Sequence, residues 1–305
     1  MRIPMLRALF VAAICSLLLW SAPDCAFAQA GSAGLVHGLW VWKSKTVLEA
    51  PRGAERLRDF CRVQGVNEVY VSYSTSATSS SASAADGKML ARTIGLLHGE
   101  RVRVEALLSS TEADEPGKHR EKLLGEVREI VAFNQAHPGS RFDGIHLDVE
   151  PQQRPENKGA GNLRFLAGLV DAYRAVQAVA EPAGMRVNAD IQNKLLKGDL
   201  GQRRMLLTAL PQMTLMMYEL DSPDDGKSID QKADDVVRNS KKFLEMAYDG
   251  LRGSNLARMA IALRTPDYGA LLPKMLGRLD EGNGENPHYL GWARHSYNDA
   301  LSAGR

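Results

Sequence analysis

Residues Phe142 to Pro151 read FDGIHLDVEP. Ile145, Leu147 and Val149 alternate with His146, Asp148 and Glu150, so an extended strand puts the three polar side chains on one face. Asp143-Gly144 before the run and Pro151 after it bound a short segment that suits a strand better than a helix. On a half-exposed surface sheet such alternation is ordinary. Here the flanking chain repeats strand-then-helix units, whose strands are covered on both faces and apolar throughout. Ionisable groups at the end of such a strand cost on the order of several kcal/mol each if unpaired, so they require a cleft, partners or a ligand.

Working outward, Leu35–Trp42 (LVHGLWVW), Val66–Tyr73 and Val102–Leu108 read as strands before the motif, with helices predicted over Ala54–Gln64, Lys88–His98 and His119–Ala136. After it, strands over Met185–Ile191, Gln212–Leu220, Ala257–Leu263 and Tyr289–Arg294 follow, with helices over Leu163–Ala180 and Ile229–Tyr248. The Ser/Ala-rich stretch Ser74–Gly87 lacks apolar periodicity and reads as a loop. The tail after Tyr297 has room for two turns of helix at most. Eight strands spaced roughly 30 to 45 residues apart, most with a helix between, predict an α/β fold, a (β/α)8 TIM barrel. An open doubly wound sheet is the competitor, and no Gly-rich dinucleotide turn supports it.

In either fold the ligand site lies beyond the C-terminal ends of the strands. Trp42, Tyr73, Glu105, Glu150, Asp190, Glu219 and Trp292 all fall at or near such ends. Acids and aromatic rings are thus expected together on one rim.

The N-terminus carries Arg2 and Arg7, an apolar run from Ala8 to Trp20, and the small-x-small site Ala26-Phe27-Ala28. These are the parts of a cleavable secretory signal, predicted over residues 1–28, with a single barrel domain over 29–305. A bacterial protein with this leader is expected in the periplasm or outside the cell. Cys25 follows Pro23-Asp24, which does not suit a lipid anchor, and no later segment is long and apolar enough to cross a membrane. Removing Cys15 and Cys25 with the leader leaves Cys61 alone, so no internal disulfide forms and stability must come from a large core. Cys61 lies in a predicted helix and reads as a small buried hydrophobe. The net charge of +2, with acids and bases interspersed, gives no sign of a nucleic-acid or membrane surface.

Glycosidic bonds are cleaved by protonating the leaving oxygen while a second group supports the positive charge developing at the sugar carbon. Asp148 and Glu150 on one strand have Cα atoms about 6.7 Å apart, close enough to interact but not to clasp a bond from both sides. Their proximity raises the proton affinity of one of them, which helps keep Glu150 protonated as a general acid. Trp42 and Trp292 offer flat apolar faces for sugar rings. The combination favours an oligosaccharide or polysaccharide substrate, with no cofactor.

DGIHLDVE resembles the fourth-strand signature of family 18 glycoside hydrolases, D-x-x-D-x-D-x-E, and Met216-Met217-Tyr218-Glu219 resembles their sixth-strand M-x-Y-D. The opening GLWVW and the FDGIHLDVEP form also resemble bacterial barrels of the glycoside hydrolase class. The likeness implies Glu150 as general acid and Asp148 as the group that orients a substrate acetamido acting as nucleophile. It implies that Tyr218 hydrogen-bonds that acetamido group and that Trp292 floors the subsite. Two positions depart from the pattern: His146 stands where the family has an inner Asp, and Glu219 where it has Asp.

Other readings stay open on the residues alone. A two-carboxylate mechanism would pair Glu150 with Glu219, Asp190 or Glu105. His146, Asp148 and Glu150 with Glu105 or Asp190 form a possible divalent-metal set, although barrel metal sites often use more than one His. A barrel that binds sugar without cutting it is the non-enzymatic competitor. For Asp148 and Glu150 the plain structural alternative is a buried pair neutralised by Arg103 or Arg186. His146, deeper in the strand, reads as a satisfied core histidine.

Overall fold

The computed structural model describes residues 34–73, 87–158, 163–218 and 226–303. The predicted leader, nearly all of the loop Ser74–Gly87 and Glu219 lie outside the described residues. Residues Leu35–Arg305 form one compact unit.

Eight parallel strands close into a barrel in sequence order: β1 (Val36–Val41), β2 (Glu68–Ser72), β3 (Arg103–Ser110), β4 (Gly144–Val149), β5 (Arg186–Gln192), β6 (Gln212–Met216), β7 (Arg258–Arg264) and β8 (Tyr289–His295). The (β/α)8 barrel is therefore the fold. Helices α1 (Ser44–Leu48) and α2 (Gly53–Gln64) follow β1, α3 (Gly87–Gly99) precedes β3, and α4 (Lys118–Ala136) precedes β4. Beyond β4 come α5 (Leu166–Ala180), α6 (Leu200–Leu207), α7 (Ile229–Tyr248), α8 (Thr265–Tyr268), α9 (Leu272–Asn283) and α10 (Tyr297–Ala303).

Most predicted elements match within three residues at their ends. Helices α6 and α9 escaped the periodicity reading for local reasons. The first is only eight residues long, and its clearest mark is a capping box in which Asp199 accepts from the Gln202 amide and Gln202 answers at the Asp199 N–H. The second is broken up by Pro273, Gly277 and Gly282, and its buried face is carried by Leu272, Met275, Leu276 and Leu279.

The main apolar core lies between the barrel wall and the helices, where Leu39, Val69, Val71, Val104, Ile145 and Leu147 meet Leu57, Leu97, Val127 and Leu169. Cys61 belongs to it, and burial pushes its thiol up to about 12, leaving it inert. The barrel interior is different. Val36, Ala260 and Leu290 form a small apolar cluster. Trp40, Tyr70, Leu107, Ala262 and Ala293 form another, which Trp42 and Tyr218 join. The remaining interior is ionic. Gly144, the glycine of the Asp-Gly pair, is required there: a Cβ would meet the Arg186 carbonyl oxygen at 2.7 Å and Glu105 Oε1 at 3.0 Å.

Candidate active site

Strand parity puts His146, Asp148 and Glu150 on the inner side of β4. The β4–β5 register pairs His146 with Asn188 and Leu147 with Ala189, so Asp190 stands beside Asp148 in the next rung. Glu150 closes β4, its N–H donating to the Ser110 carbonyl at 2.8 Å. Pro151 then opens a 3-10 turn, Pro151–Gln153, that turns two glutamines back toward the carboxyl. Glu150 Oε1 accepts from Gln152 Nε2 at 3.1 Å and from Gln192 Nε2 at 2.7 Å, and Oε2 accepts from Gln153. Burial nevertheless raises the proton affinity of Glu150, helped by the Asp190 charge and opposed by the three amides.

Below the acids lies a closed network. His146 is wholly buried, with Nε2 2.8 Å from Asp190 Oδ1 and Nδ1 3.2 Å from Glu105 Oε2. Both neighbours are carboxylates, so both ring nitrogens donate and the ring is an imidazolium. Burial alone would lower its basicity, but Asp190 and Glu105 outweigh this and lift it to about 10. Its ring stacks on Tyr70 at 3.7 Å. Glu105 also accepts from Arg186 Nε at 2.6 Å and Asn188 Nδ2 at 2.7 Å. Burial opposes its ionisation, yet Arg186 and His146 hold it below the usual carboxylate range. Arg186 and Arg103 both reach Glu68 Oε2 at 2.6 Å. Those two arginines therefore neutralise Glu68 and Glu105, not the pair Asp148 and Glu150.

Asp148 has no such partner. Its Oδ1 is buried without a hydrogen bond, and burial, then the charges of Asp190 and Glu150, push its carboxyl far above the ordinary range. The Tyr218 hydroxyl, just beyond β6, is likewise buried and unbonded. Burial, then the charges of Asp190, Asp148 and Glu150, raise the proton affinity of that hydroxyl, and its ring centroid stands 5.6 Å from that of His295 inside the barrel. Arg264 lies over the Tyr218 ring, 5.3 Å from its centroid.

A cleft of about 500 Å³ opens above these groups, with Trp42, Ser109, Ser110, Asp148, Glu150 and Gln153 among its walls. Trp42 donates from Nε1 to His295 Nε2 at 2.9 Å. Since indole N–H only donates, His295 is neutral with its proton on Nδ1, and burial keeps its basicity low. A larger groove of about 700 Å³, along the end of α7 beside His288, lies at the other end of the strands, away from the acids. Among the described residues no group of three His, Cys, Asp or Glu is arranged to hold a metal ion.

The structure thus brings together Asp148, Glu150, Asp190, Tyr218 and Trp42, with His146 beneath them; Glu105, the third residue of β3 and paired with the first residue of β4, is wholly buried lower in the barrel and is not at a strand C-terminal end. Tyr73 and Trp292 are elsewhere. Tyr73 shares the parity of Val69 and Val71, and its ring packs edge-on against Phe142 on the outer side of the wall. Trp292 faces α9, stacked on His37 at 4.2 Å and donating to Asp280 Oδ2 at 3.1 Å. At the end of β8 the inward aromatic is His295. The sequence reading overlooked Gln152, Gln153 and Gln192, and it did not separate Trp40 from core packing. Trp40 donates to Asp190 Oδ2 at 3.1 Å. Two-residue parity from Glu150 and from Asp190 was the available signal for Gln152 and Gln192.

No protein-family model matches the sequence, and no curated protein matches it. Among solved structures, a chitinase from Bacteroides thetaiotaomicron is similar over 88% of this chain and 93% of its own, with a TM-score of 0.54 at 14% identity. A GH18 chitinase from Pseudoalteromonas aurantia is similar over 88% and 96%, with a TM-score of 0.53 at 9% identity. The likeness is one of fold. A family 2 AP endonuclease from Brucella melitensis, at 14% identity, covers 87% of this chain and 93% of its own with a TM-score of 0.47. Barrels host many chemistries, so function rests on the strand-end residues themselves.

Proposed function

We propose that the protein is an exported glycoside hydrolase acting on a polysaccharide with N-acetylated sugars, its residues 1–28 serving as the export signal. The observation that carries the reading is a pair of buried polar atoms without partners, Asp148 Oδ1 and the Tyr218 hydroxyl, beside a Glu150 that burial favours in its protonated form. An acetamido group supplies the complement of that pair. Its N–H donates to Asp148, and its carbonyl oxygen accepts from Tyr218. So held, the carbonyl oxygen attacks the anomeric carbon as Glu150 gives its proton to the leaving oxygen, and the glycosidic C–O bond breaks. Glu150, now a carboxylate, takes a proton from the water that opens the cyclic intermediate. Trp42 offers the adjoining sugar a flat face at the cleft wall. Among the described residues a direct nucleophile is harder to find: each oxygen of Asp190 and of Glu105 already accepts a hydrogen bond deep in the barrel.

The test is release of reducing ends from N-acetylated and non-acetylated glucans and exopolysaccharides by wild type and Glu150→Gln, with chelator in a parallel set. Cleavage of an acetamido polymer, lost by roughly 10²–10⁴-fold in the variant with binding retained, is expected. Cleavage of non-acetylated chains alone would point to a two-carboxylate mechanism, and sensitivity to chelator to a metal. Binding without any cleavage would make the protein a sugar-binding barrel.

A further inference from the structure

Arg294 lies near the end of β8 and shares the parity of Trp292, so its side chain leaves the barrel on the outer side of the wall. It is 7% exposed. Nε donates to Thr265 Oγ1 at 3.2 Å and Nη1 to Gln64 Oε1 at 3.3 Å, and the guanidinium carbon stands 5.2 Å from the centroid of the Phe60 ring. Among the described residues Nη2 makes no hydrogen bond and no carboxylate pairs with the group. Asp299, the acid that acts on it, is engaged by Ser296 through N at 3.1 Å and Oγ at 2.8 Å. Arg154 and Arg186, by contrast, each bridge at least two carboxylates. A guanidinium does not give up its charge, so a buried one with no counter-ion calls for an anion.

The room for one is beside it. Arg294 borders a cavity of about 220 Å³ between α2 and α9, with Gln64, Val66, Pro273, Leu276 and Trp292 among the other walls. Gln64 links the cation to the cavity: its Oε1 faces Arg294, and its amide nitrogen has no partner among the described residues. Asp280, also in the wall, is already engaged. Its Oδ1 accepts from the Tyr289 hydroxyl at 2.8 Å, and its Oδ2 accepts from Trp292 Nε1 at 3.1 Å and faces His37 Nε2 at 2.9 Å.

We propose that this cavity is a binding site for a small monocarboxylate with a short apolar body, the carboxylate seated on Arg294 Nη2 and the Gln64 amide nitrogen. Two donors side by side suit the two oxygens of a carboxylate. Val66, Pro273, Leu276 and Trp292 suit an apolar body, and the volume is that of about seven waters. A doubly charged oxyanion such as phosphate fits less well, because Asp280 puts a negative charge in the same wall. The site lies outside the barrel wall, opposite the face that carries Asp148 and Glu150, and the inference does not rest on the glycosidase reading.

The experiment is isothermal titration calorimetry on the full mature chain with sodium butyrate, with butyramide and inorganic phosphate as parallel probes at constant ionic strength. Butyrate is expected to bind wild type with a Kd on the order of 1 mM, and butyramide, of the same shape without the charge, not to bind. Arg294→Met should weaken butyrate by about 10-fold or more, as loss of a charge-assisted bond requires. Should Arg294→Met fail to fold, Gly277→Leu is read in its place. Gly277 lines the cavity and a Cβ there meets nothing within 4 Å, so the variant narrows the site, leaves Arg294 intact and should weaken butyrate too. No heat with butyrate, or equal heats with butyrate and butyramide, overturns the proposal. So does an unchanged Kd in the variants, which would leave Arg294 a staple between Thr265 and Gln64. Tighter binding of phosphate than of butyrate overturns the ligand class.

Discussion

The Arg186 guanidinium donates through Nε to Glu105 Oε1 across 2.6 Å, inside a barrel where Glu105 has no exposed surface. The same side chain reaches Glu68 through Nη2 at 2.6 Å. Removing one partner of such a pair leaves a buried charge uncompensated, at a cost of about 3–5 kcal/mol. Arg186→Met is therefore expected to lose that much stability in urea denaturation. A loss below about 1 kcal/mol would mean that Asn188 and His146 suffice for Glu105.

The titrating groups predict how stability follows pH. His146 is raised from 6.5 to about 10 in the fold, so its contribution is complete below 6.5 and is lost as pH rises through 10. Asp148 and Glu150, also raised, must give up protons from buried positions as pH increases, which acts in the same direction. Glu105, lowered, contributes above its free value of 4.5 and loses its contribution as pH falls. Thermal melting should thus give a higher Tm at about pH 5.5 than at about pH 8.5. The reverse order would sink the imidazolium assignment of His146.

Tyr218→Phe removes a hydroxyl that has no protein partner. Folding stability should change little or rise slightly, because no bond is broken and a buried polar group is removed. On an acetamido substrate, loss of one hydrogen bond is expected to lower kcat/KM by roughly 10-fold. Equal effects on acetylated and deacetylated chains would detach Tyr218 from the acetamido group.

Two tryptophans should part company. Trp292→Phe loses its bond to Asp280 on the outside of the barrel and is expected to cost about 1 kcal/mol of stability, with turnover unchanged. Trp42→Ala strips a wall from the cleft and is expected to raise KM about 10-fold through lost stacking, with the fold intact. Binding measured by calorimetry on both variants checks the pair, and a KM effect in Trp292→Phe would overturn the placement.

The order of strands and most helices was legible in the chain because local rules govern both. Period-two alternation and bounding turns mark strands, and apolar periodicity marks long helices such as α7, read to the residue. The short α6 and the glycine-interrupted α9 gave too weak a periodic signal. The acids of FDGIHLDVEP marked a candidate site for a simple energetic reason: such groups at a buried strand end need partners or a ligand, and Asp148 Oδ1 has no protein partner. Which aromatic faces the cleft was a different matter. Tyr73 lies just past the end of β2, as read, but Trp292 sits in the middle of β8, level with His37 near the start of β1; parity sends both to the outer wall, and the end of β8 presents His295 instead.

The sequence by itself determined the barrel, the strand carrying Asp148 and Glu150, and the histidine at position 146 on the same face. Only the tertiary structure decided what that histidine does, because its partners are distant in the chain: Glu105 is 41 residues away and Asp190 is 44. Charge in a low-dielectric interior is governed by distances of a few ångströms. Those distances belong to the closed barrel, which brings β3, β4 and β5 side by side, and to no local segment of the chain.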